Sequence, residues 1–187
     1  TGMAPDRTTS PPGAATSGGT GFGIMAIVVA AERGWVSRRA ARDRIALIVR
    51  SLERAARHHG AWPHWLNAVT GKTIPFGAKD DGGDIVETAF VVQGLIAARQ
   101  YFAADTAVER EFRERIDALV NAVEWSWYKA PAEDVMLWHW SPNIGFAMNF
   151  PIRGWNECLI AYVLAAGSPT YPISPDLYHR GWTAGPD

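Results

Sequence analysis

Five helical segments of two kinds alternate along this chain, and their order restricts the folds open to it. Helix start and stop residues predict helices over residues 17–33, 37–58, 84–103, 106–127 and 156–167. The first, third and fifth are apolar on nearly every side, whereas the second and fourth carry one apolar stripe opposite Arg and Glu. An all-round apolar helix is buried and a striped one lies on the surface, so the order predicts an inner and an outer layer.

The connections between these helices alternate in length as well. Short links join each inner helix to the next outer helix, whereas residues 59–83 and 129–155 lead back to the next inner helix. Both long segments are rich in Trp and His, and loops of this length in a compact domain are usually functional. If the inner helices run parallel, the long loops meet their N-termini at one end. We therefore predict an all-α fold, an incomplete portion of an α/α toroid, with residues 1–16 as an irregular lead-in.

Composition excludes several classes of function. The 187 residues include 18 Lys and Arg against 19 Asp and Glu, a formal net charge of −1, so no basic face for nucleic acid is expected. The longest apolar run, residues 24–31, is too short to span a membrane. The single cysteine, Cys158, rules out an intramolecular disulfide and is predicted to be buried. Triad, phosphate-loop and CxxC motifs are absent from the sequence.

Carboxylates are concentrated at two predicted inner-helix starts. Asp84 and Glu87 are three residues apart and share a helix face, although D-x-x-E before an apolar run is also a capping pair. Asp80 and Asp81 precede them, which makes four carboxylates within eight residues. Such a segment could also be a Ca²⁺ loop, although its carboxylates do not have EF-hand spacing. Glu157 lies in the first turn of the predicted fifth helix.

Carboxylates among indole rings are typical of a carbohydrate site, because sugar C–H faces stack on aromatic rings and two carboxyl groups cleave a glycosidic bond. The acid member needs a raised pKa. Burial of Glu157 beside Trp155 would raise it, whereas the helix N-terminus, capped by Asn156, would lower it. His58 and His59 are predicted to end the second helix, where a positive charge suits the helix dipole. The candidate substrate-binding residues are Trp62, His64, Trp65, Trp138, His139, Trp140, Trp155 and Asn156.

Three sequence blocks resemble the glycoamylase-like family of bacterial proteins. They are "SGGTGFGIMAIVVAAERGWVSRRAA", "GGDIVETAFVVQGLIAARQYF" and "WHWSPNIGFAMNFPIRGWNECLIAYVLAAGSPTYPI". This family includes endo-β-1,2-glucanases and the C-terminal domain of cyclic β-1,2-glucan synthases. The resemblance implies an (α/α)6 toroid, a six-hairpin barrel, that acts on glucans and is periplasmic, secreted or membrane-tethered. Family domains are roughly twice as long, so the chain is expected to be a partial domain that lacks part of the cleft wall and whose independent activity is in doubt.

The resemblance also implies roles for individual residues. Asp84 and Glu87 in "GGDIVETAF", and Glu157 in "GWNECL", correspond to acidic cleft residues. Trp155, Asn156 and the "WHW" of residues 138–140 correspond to positions that contact substrate.

The expected function is glycoside hydrolysis, most simply endo-cleavage of β-1,2-glucan, with a glucan polysaccharide or oligosaccharide as partner. Glu157 is the expected general acid, and Asp84 or Glu87 the base or a positioning group. No metal or cofactor is expected. Two alternatives remain open: glucan transfer, in which a sugar replaces water as acceptor, and a non-catalytic sugar-binding helical module, in which the carboxylates serve as caps and acceptors.

Overall fold

A computed structural model describes residues 1–183 and contains all five predicted helices. The helices are α1 (Ser17–Glu32), α2 (Arg38–Arg54), α3 (Ile85–Tyr101), α4 (Ala107–Asn121) and α5 (Leu159–Ala166), with a 3₁₀ helix at Trp125–Tyr128 and a π-helix at Leu177–Trp182. The strands are β1 (Ala14–Thr16), β2 (Trp65–Asn67), β3 (Thr73–Ile74), β4 (Gly83–Asp84) and β5 (His139–Trp140). The fold is therefore helix-rich with two small sheets, rather than purely α.

The inner helices α1 and α3 run parallel and touch through glycines. A Cβ at Gly21 would lie 2.1 Å from the carbonyl oxygen of Phe90, and one at Gly94 would lie 2.4 Å from the carbonyl oxygen of Gly21. One turn earlier, Gly18 of α1 meets the Glu87 side chain of α3. The residue numbers of the contacting pairs increase together along both helices, from Gly18 with Glu87 to Gly21 with Phe90. The two N-termini therefore lie at the same end, as predicted.

The remaining helices pack as two layers over the described residues. α3 packs against α1 on one side and α5 on the other, while α2 and α4 contact each other and cover α1 and α3 respectively. The predicted alternation of inner and outer helices is confirmed here. The inner helices are nevertheless only partly buried in this chain, because Phe22 and Val29 of α1 and Val163 of α5 remain at least half exposed.

The second helix is shorter than predicted. It ends at Arg54, because Ala55 adopts an extended conformation with ψ of 148°. His58 then pairs with Ala61 across a tight turn in which His59 has a φ of 49°. The prediction that His58 and His59 end an outer helix is therefore wrong, since a turn closed by backbone hydrogen bonds has replaced the last helical residues.

The fifth helix begins three residues later than predicted, at Leu159. Asn156 Oδ1 accepts a hydrogen bond from the backbone N–H of Cys158 (2.9 Å), which forms a local turn ahead of the helix. Asn and Asp make such turns as readily as helix caps, so sequence alone does not separate them. Glu157 therefore precedes the helix instead of occupying its first turn.

Two small sheets attach the long loops to the starts of the inner helices. β1 pairs antiparallel with β2, which places Thr16 opposite Trp65, and β2 pairs with β3. β4 pairs antiparallel with β5, which places Asp84 opposite His139. Because β1 runs directly into α1 and β4 into α3, each sheet fixes a loop at a helix N-terminus. The lead-in predicted to be irregular thus ends in a strand.

None of the helices described for residues 1–183 combines the length and the hydrophobicity that a membrane crossing requires.

The close contact of α1 and α3 predicts a strong effect of Gly21→Ala. The added methyl group would overlap the carbonyl of Phe90, so we expect the free energy of unfolding to fall by about 1–3 kcal/mol or more. Gly23→Ala is the matched control, because a Cβ at Gly23 meets nothing within 4 Å and Ala is the better helix former by up to about 1 kcal/mol. Urea unfolding measures both, and equal effects of the two substitutions would contradict the close contact.

Candidate active site

Asp84 is the centre of the site and is completely buried. Its Oδ1 caps α3 by accepting hydrogen bonds from the backbone N–H groups of Val86 (3.0 Å) and Glu87 (2.8 Å). Its Oδ2 accepts from Trp138 Nε1–H (3.0 Å) and from His64 Nδ1–H (3.2 Å). Capping, one of the two roles left open by the sequence, is therefore real, and the same carboxylate also joins both long loops to α3.

Glu87 links α3 to the N-terminus of α1. Its Oε2 accepts hydrogen bonds from the backbone N–H of Gly18 (2.7 Å) and the hydroxyl of Thr16 (3.2 Å), and Oε1 takes part in neither. Burial and then the charge of Asp84 raise the pKa of Glu87, while His64 and the two donors oppose that shift. Glu87 is thus a carboxyl group that holds its proton more strongly than usual and still has one oxygen available.

Asp80 is the third carboxylate of the site, and the sequence had marked it only as part of a dense acidic loop. It lies in the turn before β4 and is 7% exposed. Burial, followed by the charge of Asp84, raises the pKa of Asp80 to about 6. A carboxyl group with such a pKa is partly protonated near neutral pH, which suits proton donation. The run of four carboxylates within eight residues was the one sequence feature that pointed to it.

His64, which the sequence had marked as a substrate-binding residue, completes the cluster. Burial lowers its pKa, but the hydrogen bond to Asp84 and the charges of Glu87, Asp84 and Asp80 outweigh burial, so the net shift is upward. A protonated His64 would partly neutralise the carboxylates around it.

His64, Asp80 and Asp84 each offer one possible metal-ligand atom, and these three atoms lie within 4.8 Å of one another. Such a spacing could hold a cation. Four hydrogen bonds already occupy the two oxygens of Asp84. Hydrogen bonding among these groups accounts for their arrangement, and we assign no metal to them.

Aromatic rings adjoin the cluster through both long loops. Phe76 stacks on the His64 ring with centroids 4.0 Å apart, and Trp65 meets Phe76 edge-on at 4.8 Å. In the other loop, Phe150 stacks on Trp138 at 5.4 Å. About half of the surface of each Phe side chain is exposed, so apolar faces are available for sugar rings beside the carboxylates. Sequence reasoning missed both Phe residues, although aromatic residues in long loops were the available sign.

A cavity of about 400 Å³ lies against the sheet formed by β1, β2 and β3. Its lining includes Trp65, Asn67, Ile74 and, from the lead-in, residues 6, 7 and 9–15. Trp65 is paired with Thr16, and cross-strand partners share one face of a sheet, so the cavity adjoins the residue that hydrogen-bonds Glu87. Its volume is in the range of small-molecule sites.

Three of the predicted substrate-binding residues serve other purposes. Trp62 has no exposed surface, donates its indole N–H to the carbonyl of Leu52 (3.1 Å) and packs under the Arg57 guanidinium. His139 is 1% exposed and therefore does not reach a substrate. Trp140 packs edge-on against His59 and Trp127, away from the carboxylate cluster. Tertiary packing buries the side chains of Trp62 and His139, so the burial of both argues against the substrate contact predicted for them.

The predicted residues at the start of α5 are exposed. Trp155 is 75% exposed, and the side chain of Asn156 is used in the local turn. Glu157 is exposed too, so the described residues do not provide the burial beside Trp155 that was expected for it. Burial, with the charges of Glu157 and Asp84, raises the pKa of the Cys158 thiol to about 12.

Two helical layers, with an acidic and aromatic site at the N-termini of the inner helices, define an α/α protein with the features of a carbohydrate site. Comparison with known proteins narrows this class. Residues 149–187 match the model of the glycoamylase family, described as putative glucoamylase. The exo β-1,2-glucooligosaccharide sophorohydrolase (non-reducing end) of Parabacteroides distasonis is 47% identical over 170 residues, which are 90% of this chain and 24% of that protein.

Solved structures agree with these matches. An endo-β-1,2-glucanase from Chitinophaga pinensis, in complex with sophorotriose and glucose, is 53% identical with a TM-score of 0.88, over 93% of this chain and 42% of that one. A β-1,2-glucanase from Parabacteroides distasonis is 44% identical with a TM-score of 0.93, over 96% of this chain and 26% of that one. The resemblance to the glycoamylase-like family is thereby confirmed, and the chain corresponds to part of a domain of that family. It spans about a quarter of the curated relative's length and less than half of these structures.

The raised pKa of Asp80 predicts a pH-dependent stability difference for Asp80→Asn. Between about pH 4 and pH 6 the folded state keeps a proton that the unfolded chain has lost, so stability of the wild type falls as pH rises through this window. Asn cannot ionise, and the variant should become more stable relative to wild type, by on the order of 1–3 kcal/mol, between pH 4 and pH 7. Denaturant unfolding at several pH values measures this difference.

The control for this experiment is Asp105→Asn, which removes a carboxylate whose side chain is 88% exposed. A difference between Asp80→Asn and wild type that stays constant with pH would contradict the buried, protonated Asp80.

Proposed function

We propose that the protein containing this chain is a glycoside hydrolase that cleaves β-1,2-linked glucan. The observation that carries this proposal is the cluster of Asp80, Asp84 and Glu87 with His64, placed beside aromatic faces. The identity of 53% to an endo-β-1,2-glucanase whose structure contains sophorotriose supports the choice of substrate.

Each carboxylate of the cluster is suited to a different task. Asp80, with a pKa of about 6, is the proposed proton donor to the glycosidic oxygen. Glu87 has a free oxygen and is the proposed partner that acts on the sugar or on water. Asp84 holds His64 and Trp138 in place.

Glu157 remains the acid expected from the family resemblance and competes with Asp80 for that role. It is exposed in this chain, and the rest of the full-length protein would have to enclose it in the site. Substitutions separate the two candidates, as described below.

We further propose that the full-length protein completes an (α/α)6 toroid around this site. Parallel packing of α1 and α3, with α2 and α4 outside them, supports the proposal. The TM-scores of 0.88 and 0.93 to chains more than twice as long are also consistent with it. The partly exposed apolar residues Phe22, Val29 and Val163 would then meet the remaining helices.

Substitutions in the full-length protein test the catalytic roles. Asp80→Asn and Glu87→Gln should each lower turnover of β-1,2-glucan about 10²–10⁴-fold, as expected when an acid or base is removed. An aryl sophoroside with a dinitrophenyl leaving group needs no protonation, so it should restore most of the activity of the acid variant only. If this substrate restores the activity of Asp80→Asn but not that of Glu87→Gln, Asp80 is the acid. If it restores the activity of Glu157→Gln instead, Glu157 is the acid.

Glu111→Gln, an exposed position on the outer helix α4, is the matched control and should keep wild-type turnover. If the wild type binds sophorotriose but releases no product from β-1,2-glucan, the hydrolase proposal fails and a sugar-binding module replaces it.

Product sizes test the mode of cleavage, which we propose to be endo. Aromatic faces adjoin the cluster at both His64 and Trp138, so glucan would be supported in both directions. Early digestion of long β-1,2-glucan should therefore yield a broad range of linear oligosaccharides. Release of sophorose alone from the first minutes would indicate exo-cleavage, as the name of the Parabacteroides distasonis relative states for that protein, and rings or longer chains would indicate transfer.

A further inference from the structure

His139 forms a buried contact with the carboxylate cluster that its predicted role did not include. It lies in β5 and is 1% exposed, so substrate does not reach it. Its Nε2 is 2.9 Å from the backbone N–H of Gly82 and 3.3 Å from Oδ1 of Asp80. One ring nitrogen therefore faces both a fixed donor and a carboxyl oxygen.

The donor determines the protonation of this nitrogen. A backbone N–H can only donate, so Nε2 must present its lone pair to Gly82, and the neutral ring carries its proton on Nδ1. Burial lowers the pKa of His139, as does His58, although the charges of Asp84 and Asp81 oppose them; the net shift favours the neutral ring.

Gly82 cannot move away from this contact. A Cβ at Gly82 would lie 2.1 Å from the carbonyl oxygen of Trp140, so its backbone is pressed against β5. The next residue, Gly83, pairs with Trp140 in the β4–β5 ladder. Reversing the tautomer would point an Nε2–H at the Gly82 N–H and leave that donor without its acceptor.

The ionised form of Asp80 is therefore disfavoured at this contact. If Asp80 were ionised, its oxygen would face the nitrogen acceptor at 3.3 Å, and the two would repel. A protonated Asp80 avoids this repulsion, and a proton on Oδ2 stays available for donation to the substrate. The other groups around Asp80 act in both directions: the charges of Asp84, Asp81 and Glu87 favour the proton, and that of His64 opposes it.

We propose that His139 is a positioning residue that keeps Asp80 protonated and aims its carboxyl group within the site. The idea rests on the proposed role of Asp80 as proton donor, but the pairing of His139 with Asp80 is a property of the folded protein and can be measured without turnover. His139 acts through Asp80 and does not touch the sugar.

His139→Gln in the full-length protein tests this role. The amide oxygen of Gln can accept from the Gly82 N–H while its amide N–H donates to Asp80, which would stabilise the ionised form of Asp80. The alkaline limb of the pH profile of kcat/KM should then shift down by about one unit, which is about a tenfold loss above the limb, with KM little changed. The dinitrophenyl sophoroside should show no such shift, because its leaving group needs no proton.

Two controls give the outcome a clear meaning. His179→Gln changes an exposed histidine in the π-helix and should leave the pH profile unchanged. In an Asp80→Asn background, adding His139→Gln should produce no further change. A folded His139→Gln variant with an unshifted limb, or with the same loss at every pH, would overturn the proposal.

A measurement on the wild type covers the cases in which the variant does not fold or the protein has no hydrolase activity. Nitrogen-15 NMR should show His139 neutral at about pH 7, with the proton on Nδ1, and the carbon-13 signal of the Asp80 carboxyl should titrate well above the usual range. A proton on Nε2, or an Asp80 carboxyl that ionises near pH 4, would refute the pairing. Absence of turnover with the expected NMR result would refute only the hydrolase proposal.

Discussion

The four hydrogen bonds accepted by Asp84 hold the site together. Two come from the first turn of α3, one from Trp138 and one from His64. A single buried carboxylate thereby connects an inner helix with both long loops, and its burial without these donors would be very unfavourable. If α3 or either long loop came away, Asp84 or its hydrogen-bond donors would be left without partners. The helix and the two loops are therefore expected to become ordered together.

The buried charge at this point also determines how the neighbouring groups hold protons. It raises the pKa of Asp80 and Glu87, after the larger effect of burial, and it helps to raise the pKa of His64. Carboxyl groups that differ in proton affinity are what acid–base chemistry on a glycosidic bond requires. The capping residue is thus part of the electrostatics of the site as well as of the helix, and the two roles considered from the sequence are compatible.

Glycine residues allow the two inner helices to come close enough to share a carboxylate. Gly18, Gly21 and Gly94 lie at the contact between α1 and α3, and larger residues there would hold the helices apart. Since the N–H of Gly18 then donates to Glu87, helix packing and the position of a candidate catalytic group depend on the same contact. Part of the apolar surface of α1 and α5 stays exposed in this chain, which corresponds to less than half of the structures it resembles.

The sequence by itself determined the helices, their alternation in two layers and the position of Asp84 and Glu87 at the start of α3, because hydrophobic periodicity and local capping depend on neighbouring residues. Tertiary structure decided the rest. It buried Trp62 and His139, left Glu157 exposed ahead of α5 and brought Asp80 into the cluster. Burial, and the pKa values that follow from it, depend on contacts between residues far apart in the chain, and local patterns do not contain that information.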